Sequence, residues 1–201
     1  DYGAGNLASV RKALRACGAD VVEPAGPEGL ARASAIVLPG VGHFGATAVL
    51  GGAWQAAVRD RLAAGVPFLG ICLGMQWLFE GSDEAPDVPG LGWLPGRIRR
   101  LPDCTAAGER VKVPHAGWNT VRATAQADGR QAVPGLEDGA YYYFTHAYAA
   151  PVTGDTAGAT GYGMTFASAV RRANVCGVQF HPEKSGAAGL ALLRAFLGGA
   201  R

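Results

Sequence analysis

Long apolar runs, blocks of like charge and closely spaced cysteines are all missing from this chain of 201 residues. Its apolar stretches, such as Ala35 to Leu38 and Val66 to Leu73, fall far short of the ~20 residues that a membrane-crossing helix needs. No leader-like apolar segment opens the chain, so a soluble, cytoplasmic protein is expected. Eighteen basic residues against sixteen acidic ones leave a formal charge of +2, and no basic run is longer than the pairs Arg99-Arg100 and Arg171-Arg172. Neither a nucleic acid nor an acidic membrane is therefore an expected partner. The cysteines at 17, 72, 104 and 176 lie far apart with no C-x-x-C among them, which leaves no zinc knuckle or redox pair and predicts reduced thiols. His181-x-Glu183 opens the zinc-deaminase pattern, but the P-C-x-x-C that must follow is absent. No metal and no cofactor are expected.

What is present is an alternation of short apolar runs with helical patterns. Ala19 to Glu23, Ser34 to Pro39, Val66 to Cys72 and Val175 to Phe180 read as buried strands. Helices are predicted from a cap at Asn6 to about Cys17, over Gly52 to Ala64, from Leu73 to Phe79 and from Gly189 to Leu197. Between Leu91 and Ser168 the texture changes to β-branched and aromatic runs broken by Gly, Pro and Asp, notably Gly96 to Leu101, Val111 to Val121 and Tyr141 to Ala149. These predict antiparallel strands and long loops. The expected fold is α/β, a doubly wound, mostly parallel sheet with a small antiparallel extension, in one domain over residues 1–201. Asp1-Tyr2-Gly3 reads as the loop after a strand, so a first strand is expected ahead of Asp1.

Two segments carry the chemistry. A predicted strand from Val66 to Ile71 runs into Cys72, and Leu73 to Trp77 leads away as a helix, with Gly70 and Gly74 two residues to either side of the cysteine. That is the spacing of a nucleophile elbow, in which small neighbours allow the sharp turn that presents the side chain. The N–H of Leu73 is then a candidate oxyanion donor. Far downstream, Gln179-Phe180-His181-Pro182-Glu183 supplies an imidazole and a carboxylate. A thiol gains reactivity when an imidazole takes its proton and a carboxylate orients that imidazole. Cysteine-based hydrolysis or acyl transfer by Cys72, His181 and Glu183 is the leading reading. His43, His115 and His146 have no carboxylate two residues on and read as structural or substrate-adjacent.

Gly40-Val41-Gly42-His43-Phe44-Gly45 matches the dinucleotide fingerprint G-x-G-x-x-G, and Gly3-x-Gly5-x-x-Ala8 is a weaker match. The fingerprint expects an acidic residue at the end of the next strand, where this chain has Ile71-Cys72. A dinucleotide-binding protein is thus a secondary reading. A Gly-rich turn beside a nucleophile can instead present backbone N–H groups to an oxyanion.

Cys72 in Gly-Ile-Cys-Leu-Gly-Met-Gln, with His181-Pro-Glu183, resembles the triad of the class I glutamine amidotransferases. Four further segments narrow the resemblance to the glutaminase subunits of imidazole glycerol phosphate synthase: Asp1 to Asn6, Pro39 to Gly42, Pro114 to Asn119 and Gln179 to Ser185. Trp118-Asn119 and Lys184-Ser185 look specific to this histidine-biosynthesis member. The resemblance implies hydrolysis of L-glutamine through a glutamyl thioester, with ammonia passed to a (β/α)₈-barrel cyclase subunit. It implies that Gln76, the backbone of Gly40, Val41 and Gly42, and the Ala147-Tyr148 segment hold glutamine, and that a peptide flip near Val41 gates the oxyanion site. It also implies that Asn6, Trp118 and Lys184 face the cyclase. One departure is Thr145-His146-Ala147-Tyr148, where the family usually carries a serine before the tyrosine. The alternatives are another class I amidotransferase, for instance in vitamin B6 or folate-polyglutamate metabolism, or a stand-alone cysteine hydrolase.

Overall fold

Phe68-Leu69-Gly70-Ile71-Cys72 is apolar or small at every position, and a strand of that composition is stable only when both of its faces are covered. In the computed structural model, which describes residues 7–124 and 132–199, all five residues are buried. In chain order the described residues form α1 (Leu7–Ala16), β1 (Ile36–Gly40), α2 (Ala53–Ala63), β2 (Phe68–Cys72), α3 (Leu73–Gln76), β3 (Gly81–Ser82), β4 (Ala85–Pro89), β5 (Arg97–Arg100), β6 (His115–Thr120), β7 (Arg122–Ala123), β8 (Tyr141–His146), β9 (Tyr148–Ala149), β10 (Thr156–Tyr162), β11 (Met164–Arg172), β12 (Val175–Val178) and α4 (Gly186–Gly198), with 3-10 turns at Pro27–Arg32, Phe44–Leu50 and Pro182–Lys184.

The central sheet has the order β1-β2-β12-β11-β10-β7. β1, β2 and β12 run parallel, and β11, β10 and β7 continue the sheet antiparallel. Alternate residues of β2 serve opposite layers. Leu69 and Ile71 join Val10 and Leu14 of α1 and Leu192, Leu193 and Phe196 of α4 on one face. Phe68 joins Val58 and Leu62 of α2 on the other. Each such side chain removed from water contributes about 1.5–3 kcal/mol. Helices on both faces of the sheet make the doubly wound arrangement expected from the alternation. A small mixed sheet of order β4-β3-β5-β9, antiparallel except for the parallel β3–β5 pair, and an antiparallel ribbon of β6 with β8 form the extension.

Three expectations are corrected. Residues 19–23 run without strand assignment. An extended segment becomes a strand only when a neighbour shares its ladder, and the described order of the sheet ends at β1. The helix after Cys72 is a single turn, Leu73–Gln76, rather than reaching Phe79. The carbonyls of Trp77, Leu78 and Phe79 accept from the backbone N–H groups of residues 91–94 instead of continuing the helix. The strand expected from Val111 begins only at His115, since its partner β8 ends opposite that residue, at His146. The helix cap expected at Asn6 lies outside the described residues, as does most of the second glycine match. No helix among the described residues is long and apolar enough to cross a membrane.

Candidate active site

Cys72 ends β2 with φ 53° and ψ −108°, a left-handed backbone conformation that a residue with a side chain rarely adopts. Close packing leaves no room for side chains beside it. A Cβ on Gly74 would lie 1.8 Å from the Leu38 carbonyl oxygen, and one on Gly70 would lie 2.6 Å from that of Gly74. The elbow predicted from the Gly-x-Cys-x-Gly spacing is therefore built, with the helix turn pressed against β1. Register in the parallel pair sets Gly40 directly beside Cys72. The chain then leaves β1 through Val41 and Gly42, and Gly42 has φ +101°. Leu73 is fully buried at the first position after the cysteine.

His181 follows β12, the strand paired with β2. Its Nδ1 hydrogen bonds Glu183 Oε1 at 2.9 Å, and both side chains are 2% exposed. A neighbouring network fixes the backbone: the His181 N–H donates to the Tyr143 carbonyl, the Ser185 hydroxyl donates to the His181 carbonyl at 2.6 Å, and the Tyr143 N–H donates to the same hydroxyl oxygen at 3.0 Å. His181 Nε2 is buried with no hydrogen-bond partner, and Cys72 joins Glu183 in raising the ring's proton affinity. Burial pushes the His181 imidazole down, but hydrogen bonding and charge from Cys72 and Glu183 outweigh it and raise it to about 9.

Gln76 and Tyr148 meet one layer behind the cysteine. Gln76 Nε2 donates to the Tyr148 carbonyl at 2.9 Å and to Gln179 Oε1 at 3.0 Å. Gln179 Nε2 in turn donates to Cys72 Sγ at 3.5 Å. The Thr145 carbonyl lies 4.0 Å from the same sulfur. The Ala147 carbonyl accepts from the Leu101 N–H. Gln179, Thr145 and Ser185 lie in segments the sequence singled out, but none of them was given a role in the site. The signal for Gln179 was available, as a polar residue in the otherwise apolar run from Val175 to Phe180.

His115 and His146 stand opposite each other in the β6–β8 ribbon, with His115 Nδ1 and His146 Nε2 3.0 Å apart. His146 Nδ1 is 2.9 Å from the Tyr148 carbonyl, and a carbonyl can only accept. His146 therefore carries its proton on Nδ1, His115 donates from Nδ1, and Asn119 Nδ2 donates to His115 Nε2 at 3.3 Å. Burial lowers His115 to about 4 and His146 to about 3, so both rings are neutral at neutral pH. His43 caps the 3-10 turn after the glycine loop, its Nδ1 accepting from the Gly45 N–H. In the same turn the Phe44 N–H donates to Glu84 Oε2 at 2.7 Å. A carboxylate thus holds a backbone donor that a dinucleotide's pyrophosphate would need. Trp118 is 56% exposed and packs edge-on against Tyr143, and Lys184 Nζ sits 5.7 Å over the Tyr143 ring.

A family model described as glutamine amidotransferase class-I matches residues 1–198. The chain is 47% identical to imidazole glycerol phosphate synthase subunit HisH of Deinococcus radiodurans over 98% of this chain and 90% of that protein. It is 41% identical to imidazole glycerol phosphate synthase hisHF of Emericella nidulans, where it is matched over its whole length but spans only 37% of that longer protein. Among solved structures, one described as a glutamine amidotransferase superposes with a TM-score of 0.70 at 22% identity, covering 98% of this chain and 95% of that one, a likeness of fold. This chain belongs to the class-I glutamine amidotransferases, among the HisH glutaminase subunits.

Proposed function

We propose that Cys72, His181 and Glu183 hydrolyse the side-chain amide of L-glutamine and that the ammonia passes to a (β/α)₈-barrel cyclase subunit. The observation that carries this reading is His181, held by Glu183 on Nδ1 with Nε2 buried and without a hydrogen-bond partner, and with Cys72 acting beside Glu183 to raise the ring's proton affinity. The Cys72 sulfur attacks the amide carbon as a thiolate, its proton having gone to His181. The oxyanion that develops faces the elbow, where the Leu73 N–H and the backbone of Gly40, Val41 and Gly42 can meet it. His181 then gives its proton to the departing nitrogen and ammonia leaves. Water attacks the glutamyl thioester with His181 as base, glutamate departs, and the thiol is restored. Glu183 holds the ring and stabilises its charged form.

The cyclase is supported by the names of the relatives and by the fused Emericella nidulans protein, which carries a segment like this chain within a longer synthase. Exposed Trp118 and Lys184 flank the half-buried Tyr143, whose carbonyl holds the His181 backbone. A partner docked there touches the triad's own support, and Lys184 would meet an acidic residue of the cyclase. Asn6 would extend the same interface.

The test is Cys72→Ser, assayed with the cyclase present. Glutamine hydrolysis should vanish while synthesis from added ammonia stays within about twofold, because external ammonia bypasses the thioester. Equal loss of both activities would defeat the two-site scheme, and a wild-type glutaminase that added cyclase does not stimulate would favour a stand-alone hydrolase.

A further inference from the structure

The hydrogen bonds behind Cys72 run in one direction, and a single carbonyl sets that direction. The Tyr148 carbonyl can only accept, and it lies 2.9 Å from Gln76 Nε2. Gln76 must therefore turn its nitrogen, not its oxygen, toward Tyr148. That same nitrogen reaches Gln179 Oε1, so Gln179 must offer its oxygen to Gln76 and its nitrogen to the sulfur. Both glutamines are buried, Gln179 wholly and Gln76 to within 4%, so water does not compete for these groups. The neutral His146 donates to the same Tyr148 carbonyl and is itself held by His115 and Asn119. The amide of Gln179 is thus locked in the orientation that faces Cys72 with a donor.

We propose that Gln179 is a fourth catalytic residue, a polarity-locked amide donor to the Cys72 sulfur, and that Gln76 is the positioning residue that locks it. A donor aimed at sulfur favours the thiolate over the thiol, because a charged acceptor binds an N–H more strongly than a neutral one. His181 can then take the thiol proton while the sulfur's negative charge stays partnered. This deepens the glutaminase reading and rests on it. The nucleophilic anion then keeps Gln179 as its amide donor, while the Thr145 carbonyl, 4.0 Å from the same sulfur, can accept only from the thiol.

The test is the pH titration of the Cys72 thiolate, followed by its ultraviolet absorbance as the difference between each protein and the same protein carrying Cys72→Ser. Gln179→Met removes the donor while keeping the volume. It should move the midpoint up by about one to two pH units, the effect of one hydrogen bond to a charged group. It should also lower kcat for glutamine by roughly 10- to 100-fold with KM nearly unchanged. Gln76→Met frees the Gln179 amide to rotate and should shift the midpoint in the same direction by less. Cys176 is buried and its thiol is pushed up to about 11 by burial, so its resistance to iodoacetamide reports that each variant is folded. If Gln179→Met exposes Cys176, the Gln76→Met titration decides. A folded variant that titrates as wild type overturns the proposal. Retained glutamine hydrolysis in Cys72→Ser would instead overturn the underlying reading.

Discussion

His181 shows how two neighbours override burial at a single residue. Its raised value of about 9 keeps the imidazole protonated through neutral pH, and an imidazolium is what the departing ammonia needs. The glutaminase kcat/KM should therefore fall as pH rises through about 9, since deprotonation removes the acid. Glu183→Gln takes away one of the groups that raise His181, so the alkaline fall should move to lower pH and turnover should drop on the order of 10²-fold. The loss should be smaller than for Cys72→Ser, which removes the proposed nucleophile itself. A pH profile of Glu183→Gln that overlays the wild type would reduce Glu183 to a buried carboxylate without a part in the chemistry.

At the scale of elements, the site is a contact between the ends of β1, β2 and β12, and its tightest point is Gly74 against the Leu38 backbone. No rotamer change relieves a Cβ placed 1.8 Å from a carbonyl oxygen, so α3 would have to move away from β1. Gly74→Ala should cost about 3 kcal/mol, the upper range for overpacking, and should displace Cys72 from Gly40. Denaturant midpoints and glutaminase turnover should both fall. A variant with unchanged stability would mean that the elbow and β1 are not packed as described. The β8 strand contributes at the same scale, because its backbone meets His181 and Ser185 at Tyr143 and approaches the sulfur at Thr145.

For the whole molecule, the titrating histidines set opposite limbs of the stability profile. His115 and His146 have folded values of about 4 and 3, below the ordinary 6.5. Their contribution is complete above pH 6.5 and is lost as pH falls toward 4, because only the unfolded chain gains protons there. His181 lies above its ordinary value, so its contribution is complete below pH 6.5 and is lost as pH rises through about 9. Stability should peak near pH 6.5 and decline on the acid side as the unfolded chain's imidazoles take up protons. His115→Phe keeps the ring stacked between Tyr162 and Phe144 and removes one titrating group. Thermal melts of that variant should show a shallower acid limb, and a limb of unchanged slope would reject this assignment.

Spacing alone carried the elbow at Cys72, the downstream His181-Pro182-Glu183 and the helices on two sides of a parallel sheet, because each depends on residues close in sequence or on a simple apolar period. The segment at residues 19–23 misled for a related reason, since an apolar run encodes the tendency to extend but not the neighbour that makes it a strand. The short turn after Gln76 depended on residues 91–94, which capture its carbonyls. Gln179 facing the sulfur, Ser185 bracing the His181 backbone and the His115–His146 pair join residues from 4 to 107 positions apart. The direction of a buried hydrogen-bond chain is fixed by whichever group at its end can only accept. For Cys72 that group is the Tyr148 carbonyl, which only the folded chain brings behind the nucleophile.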